Sequence, residues 1–293
     1  MSSLLAQNLI FGLLVGGLYG LAAVGLSLVF GVTKILNVSH GELLMLGGYA
    51  GFWLFTLFGI DPFLGLPLNI LLLVLLGVVL YKGIFARMTR LGEESKIKNT
   101  MLVGFGLGII FQNVAQRLWT ANERGITTTY SSSVFTLFDV RFPIVRVASF
   151  LIALFVLVAL HLFLKRSYMG KAIRATVQDW EAAALLGIST DRVYLVSFLL
   201  SAGLAGLAGA LVSVGWHVVP TMGLDWTLTS LIVMVLGGLG SFVGTFIAGV
   251  LLGMTESLTS FWLGGAYREI VALLLFLLVL VLRPQGLFGT KEG

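Results

Sequence analysis

Cysteine is absent from this chain of 293 residues, which excludes disulfides, thiolate nucleophiles and thiolate metal ligands. Histidine is nearly absent: the three present are scattered and form no metal-binding cluster. Charge is scarce, at 11% Asp, Glu, Lys and Arg against roughly 25% in soluble domains. So little polar surface cannot cover a soluble globule of this length. No glycine-rich loop ending in Lys and Ser or Thr is present to cradle nucleotide phosphates. Neither a carboxylate pair nor a nucleophile motif stands in an apolar run, so nothing points to an enzyme. Residues 1–7 carry no basic residue ahead of the first apolar run, a poor secretory signal, and the first helix is expected to be retained.

Apolar sequence fills the space that these absences leave. Hydrophobic residues make up 58% of the chain and the mean hydropathy is +1.04. Apolar runs cover residues 9–30, 42–58, 63–85, 100–119, 145–164, 193–216, 228–236, 242–258 and 270–282. They predict an all-α polytopic membrane protein with about eight transmembrane or re-entrant helices. The run 228–236 is too short to cross ~30 Å at 1.5 Å per residue, and Gly237, Gly238 and Gly240 end it, so it is expected to turn back as a half-helix. Lys82, Arg87, Arg90, Lys96 and Lys98 fall in one loop. Lys165, Arg166, Lys171, Arg174 and Arg192 fall in a second, and Arg283 and Lys291 flank the C-terminus. Basic loops face the cytoplasm, so the C-terminus is expected there, with residues 122–146 and 216–225 outside. Counting back through two apolar runs places the N-terminus outside as well. The net charge of +5 thus reflects topology and gives no reason to expect nucleic acid.

A polar interruption, GVTKILNVSHGE at residues 31–42, divides the first two runs. Ionisable and unpaired backbone groups persist at membrane depth only where protein or water surrounds them. Lys34, His40 and Glu42 therefore mark either a loop just outside the lipid or a broken helix beside a path. Asn37, Ser39, His40 and Glu42 are the candidate path residues. Asn37 and Ser39 are expected to satisfy backbone groups at the break, and His40 to face the cavity; a structural clasp, substrate contact and gating are the alternatives. Gly12, Gly16 and Gly20, with Gly249 and Gly253, form small-residue ridges that let helices approach closely, within the chain or against a second subunit. Gln112, Asn113, Gln116, Arg117 and Trp119 read as an interface anchor. Glu256 and Glu269 read as solvated or paired groups near outer ends, and Asp225 as the cap of the half-helix. Residues 125–130, in the outer loop at about 120–145, have β-like composition.

Residues 170–187, GKAIRATVQDWEAAALLG, place Ile173, Val177, Trp180 and Ala184 on one face of a helix, with Lys171, Arg174, Gln178 and Glu181 elsewhere. Gly187 can cap its C-terminus and Ser189 the start of the next helix. On these grounds the cytoplasmic helix either rests on the membrane surface or docks a soluble partner. Glu181, Ala182 and Ala183, followed four residues on by Gly187, resemble the EAA loop of bacterial ABC-importer permeases. Residues 16–31 (GGLYGLAAVGLSLVFG), 37–42 (NVSHGE), 237–241 (GGLGS) and 283–289 (RPQGLFG) are similar, in order and along nearly the whole chain, to segments of the branched-chain amino acid permeases. Ser39 departs from the alanine usual in that family before the histidine.

The resemblance implies a single transmembrane permease domain over residues 1–293, of the kind found in the first of that family's two permease subunits. It implies a path shared with a second homologous permease subunit, in a heterodimer or a homodimer. Two ATPase subunits would dock on a coupling helix at about 170–187 through Trp180, Glu181, Ala182, Ala183 and Gly187. ATP and its magnesium would be bound by those ATPases, so this chain itself needs no cofactor. A periplasmic binding protein would deliver a branched-chain amino acid to this multi-pass protein of the bacterial inner membrane. Urea or a short amide is the alternative cargo. An ion-coupled secondary transporter is the alternative class; it needs ionisable residues deep in a span, and outside residues 40–42 the chain offers few.

Overall fold

A segment in lipid must satisfy its own backbone groups, and an apolar run does so by coiling into a helix. The computed structural model describes residues 2–289 apart from 90, 138 and 139, and it is almost wholly helical. In chain order come α1 (Ser2–Thr33), α2 (His40–Phe58) and α3 (Leu66–Leu80), which continues through a π turn at Tyr81–Phe85 into α4 (Ala86–Met88). Then follow α5 (Glu93–Trp119), a hairpin of β1 (Val134–Leu137) and β2 (Val140–Pro143), α6 (Ile144–Arg166), α7 (Tyr168–Gln178) and α8 (Trp180–Leu185). α9 (Thr190–Gly215), α10 (Met222–Gly237), α11 (Phe242–Trp262) and α12 (Arg268–Leu282) complete the chain. Among the described residues, eight stretches are long and apolar enough to cross a membrane. Arg90 and Lys291, two of the basic residues counted above, lie outside the described residues.

α10 is the short helix, though longer than the apolar run suggests. It starts at Met222 and has 16 residues, about 24 Å of rise, still short of a ~30 Å hydrocarbon core. Asp225 does not cap it. Thr221 stands at the N-cap without a side-chain bond, and Asp225 lies inside the first turn, where a carboxylate meets the positive end of the helix dipole.

The glycine ridges seat α1 against α11. A Cβ on Gly12 would stand 2.6 Å from Met254 Cα, and one on Gly16 would stand 2.6 Å from Val250 Cα. The ridges therefore serve packing within the chain, where close backbone approach replaces the missing hydrophobic drive. α9, the most enclosed span, packs on α2 in the same way: a Cβ on Gly47 would stand 2.6 Å from Gly206 Cα.

The hairpin shares an end of the bundle with the N-terminus. Gln7 Nε2 donates to Arg141 O and Gln7 Oε1 accepts from Arg141 N, both at 2.7 Å. Phe135 stacks on Phe142 across the two strands at 4.9 Å. Residues 125–130 form no strand. Thr128 N and its hydroxyl bond instead to the Ser131 hydroxyl, a local alternative to a ladder. Ile126 N is taken by Ser213 O at the end of α9, and Arg124 pairs with Val218 in an isolated bridge. Tyr130 donates to Asp61 Oδ2 at 2.7 Å. Burial, then that bond, push its phenol up to about 12, so it stays protonated and holds the α2–α3 turn to this loop.

Candidate functional site

The polar interruption breaks the chain between α1 and α2. Thr33 ends α1 with its hydroxyl on Val29 O at 2.7 Å, and Lys34, at φ 55°, turns the chain back. The returning segment runs beside α5. Leu36 N donates to Thr100 Oγ1 at 3.2 Å, and a Cβ on Gly104 would stand 2.7 Å from Val38 N. Asn37 Oδ1 accepts from Ser39 N at 3.2 Å and from Ser39 Oγ at 2.7 Å. Asn37 thus takes up one backbone N–H at the break, whereas the Ser39 hydroxyl is bonded to the Asn37 side chain.

His40 is wholly buried. Its Nε2 lies 2.9 Å from Ala22 O, so Nε2 carries a proton and donates; Nδ1 lies 3.5 Å from Ser201 Oγ. The ring thus ties α1, α2 and α9 together. Ala22 is roughly 16 Å back along α1 from Thr33 by helix rise, so α2 begins beside the body of α1 rather than level with its end.

α10 begins at the same depth. Gly41 N donates to Thr227 Oγ1 at 2.9 Å, and that hydroxyl faces both Val38 O (2.9 Å) and Gly223 O (3.0 Å). Gly223 packs against the Glu42 carboxyl. Two helix N-termini, each the positive end of a helix dipole, therefore meet beside a buried carboxyl.

A polar stripe that sequence reasoning missed rises from this point. Glu42, Tyr49 and Trp53 share a face of α2. Among the described residues, Glu42 Oε2, Tyr49 OH and Trp53 Nε1 are buried without a hydrogen-bond partner, as is Asn69 Oδ1. The stripe faces α5: Glu42 lies beside Gly108, and Tyr49 stacks on Trp119 at 4.2 Å. Buried polar atoms are otherwise paired in folded proteins, so this run beside the break stands out from the rest of the interior. The spacing 42, 49 and 53 could have disclosed it, but Tyr49 and Trp53 read as ordinary apolar residues.

The second candidate site, at the opposite end from the hairpin, is two helices rather than one. Asp179, at φ −156° and ψ 105°, ends α7, and its carboxylate caps α8 by accepting from Ala182 N at 2.9 Å. An Asp favours a cap over a helix interior, and the break rotates Trp180 and Ala184 away from the buried face of Ile173. Ala183 is the buried member of the expected set; Trp180 and Glu181 are exposed, and Leu185 and Leu186 are almost wholly so. Gly187, at φ 82°, closes α8: Gly187 N donates to Ala184 O and Ile188 N to Ala183 O, a Schellman closure. Ser189 occupies the N-cap of α9 without a side-chain bond.

The two sites meet at one turn. Val177 of α7 and the end of α1 at Gly31 both lie against Gly240, in the turn after α10. The C-terminal segment grips the same turn, with Leu287 N and Phe288 N donating to Leu236 O and Gly237 O.

The family described as "Branched-chain amino acid transport system / permease component" matches residues 8–280. The permease protein BraD of the high-affinity branched-chain amino acid transport system of Pseudomonas aeruginosa is 30% identical over 98% of this chain and 96% of its own length. LivH of Salmonella typhimurium, a permease protein of the corresponding system, is 28% identical with the same coverage. LivM of Escherichia coli is 27% identical over 92% of this chain and 67% of its own length. No solved structure matches the chain.

Proposed function

This chain belongs to the branched-chain amino acid transport permease family, and from that premise we propose that it is the membrane permease subunit of an ATP-driven importer of branched-chain amino acids. The observation that carries the reading is the near full-length similarity to permease components of such systems. Similarity to both LivH and LivM supports a second, homologous permease as partner. ATPase subunits, holding ATP and magnesium, dock on the segment that ends in α8. Its exposed Trp180, Glu181, Ala182, Leu185 and Leu186 suit a protein groove, and the inward-facing Ala183 with Gly187 sets its shape. A periplasmic binding protein meets the hairpin end. The chain sits in the bacterial inner membrane with α7, α8 and the C-terminus in the cytoplasm, a placement that the basic loops support.

The path runs beside the stripe of Glu42, Tyr49 and Trp53, with Asn37, Ser39 and His40 as the clasp that holds its wall. Docking is felt at that wall through Val177, Gly240 and α10. The test is reconstitution with the second permease, the ATPases and the binding protein. ATP-dependent uptake of labelled leucine, isoleucine or valine is expected. Uptake of urea or short amides instead overturns the cargo, and uptake driven by an ion gradient without ATPases overturns the class.

A further inference from the structure

A cavity of about 570 Å³ lies on the opposite side of α10 from the break, between α1, α10, α11 and α12. That is within the range of about 300–1,000 Å³ typical of small-molecule sites. Its polar lining comprises Tyr19, Asp225, Glu256, Arg268 and Glu269; its apolar lining includes Ile232, Leu252 and Phe276. These groups are far apart in sequence and meet only in the fold.

Glu256 is 8% exposed and held in place: Tyr19 OH donates to its Oε2 at 3.0 Å, and Arg268 Nε lies 3.7 Å from the same oxygen. That pair engages one edge of the guanidinium and leaves its terminal amino groups free to fork onto an anion. Asp225 makes no hydrogen bond or ion pair among the described residues, yet it lies in the first turn of α10 at the depth of the helix break. Its carboxylate is exposed and lines the cavity. Asp225 and Glu269 are thus open acceptors, and Arg268 is an open donor, around one aliphatic chamber.

The geometry points to a binding site for a free aliphatic α-amino acid. Arg268 takes the carboxylate, Asp225 and Glu269 take the ammonium, and Ile232, Leu252 and Phe276 take the side chain. The inference rests on the permease reading above. It gives the substrate a holding place on the helix whose other face, through Gly223 and Thr227, clasps the break. The same head chemistry occurs on aminophospholipids, whose two acyl chains exceed this chamber.

Binding of labelled L-leucine to the complex of both permeases and the ATPases in nanodiscs, without the binding protein, tests the inference, alongside leucinamide, which lacks the carboxylate, and 4-methylpentanoate, which lacks the ammonium. Arg268→Gln should weaken leucine about ten- to a hundredfold, the worth of one hydrogen bond to a charged group, and leave leucinamide within about twofold. Glu269→Gln should weaken leucine and leucinamide together. Ile232→Trp, which fills the chamber, should abolish binding at unchanged complex yield. Unaltered leucine affinity in both Arg268→Gln and Glu269→Gln overturns the site. So does an aminophospholipid seen by native mass spectrometry and not displaced by leucine. Wild-type uptake separates the two readings: import with cavity variants unaffected sinks the site alone, whereas Arg268-dependent binding without import sinks the importer reading and leaves the site.

Discussion

Thr227 does more with one hydroxyl than any other side chain near the break, since it touches the start of α2, the end of the returning segment and its own helix. Thr227→Val keeps shape and removes the bonds. It should lower stability by about 1–3 kcal/mol for each buried group left unpaired, read as a fall in the unfolding temperature of the purified complex. His40→Leu should lower complex yield together with uptake, because it removes the ring that ties α1, α2 and α9 together. His40→Gln, which retains a donor, should recover much of both; normal yield with slow uptake in His40→Leu would return the ring to the path. The polar letters of residues 33–42 made the break legible in the sequence, since such residues need a reason to be inside a membrane. Thr227 was hidden because a threonine in a helix is unremarked until its partner, 186 residues away, is known. The Glu256–Tyr19–Arg268 cluster was hidden for the same reason.

At the scale of elements, Gly187 offers a clean experiment. A Cβ there would meet nothing within 4 Å, so only its left-handed φ of 82° resists substitution. Gly187→Val should cost about 1–2 kcal/mol in that conformation and loosen the closure of α8. We expect loss of ATPase co-purification and of uptake, with membrane insertion unchanged. Gly187→Asn, tolerated in this conformation, should be milder, and normal co-purification in Gly187→Val would remove the docking role. The closing glycine was readable because it follows the last helical position with the right spacing. The split at Asp179 was not, because the apolar period runs through it and the competing cap bond to Ala182 leaves no mark on that period. The first turn of α10 is hidden in the sequence for a like reason: Asp225 looks like a cap at the end of an outer loop, and only the fold shows helix from Met222 on.

For the whole molecule, the absence of cysteine makes orientation easy to measure. In intact cells a membrane-impermeant maleimide should label Thr136→Cys on the hairpin and spare Leu185→Cys on α8, both exposed positions; the reverse pattern would invert the topology. The seam between α1 and α11 has a consequence in time. The bare backbone ridge at Gly12 and Gly16 is among the first parts of the chain to be synthesised, and the surface that covers it, around Val250 and Met254, is among the last. At about 5–20 residues per second, the first span waits on the order of ten to fifty seconds in the bilayer for its partner. During that interval it is a lone helix with an uncovered glycine groove, open to quality-control proteases and to the grooves of neighbouring nascent chains. A chain halted before residue 242 should therefore be degraded much faster than the full chain in a pulse-chase, and supplying residues 242–289 in trans should slow its decay.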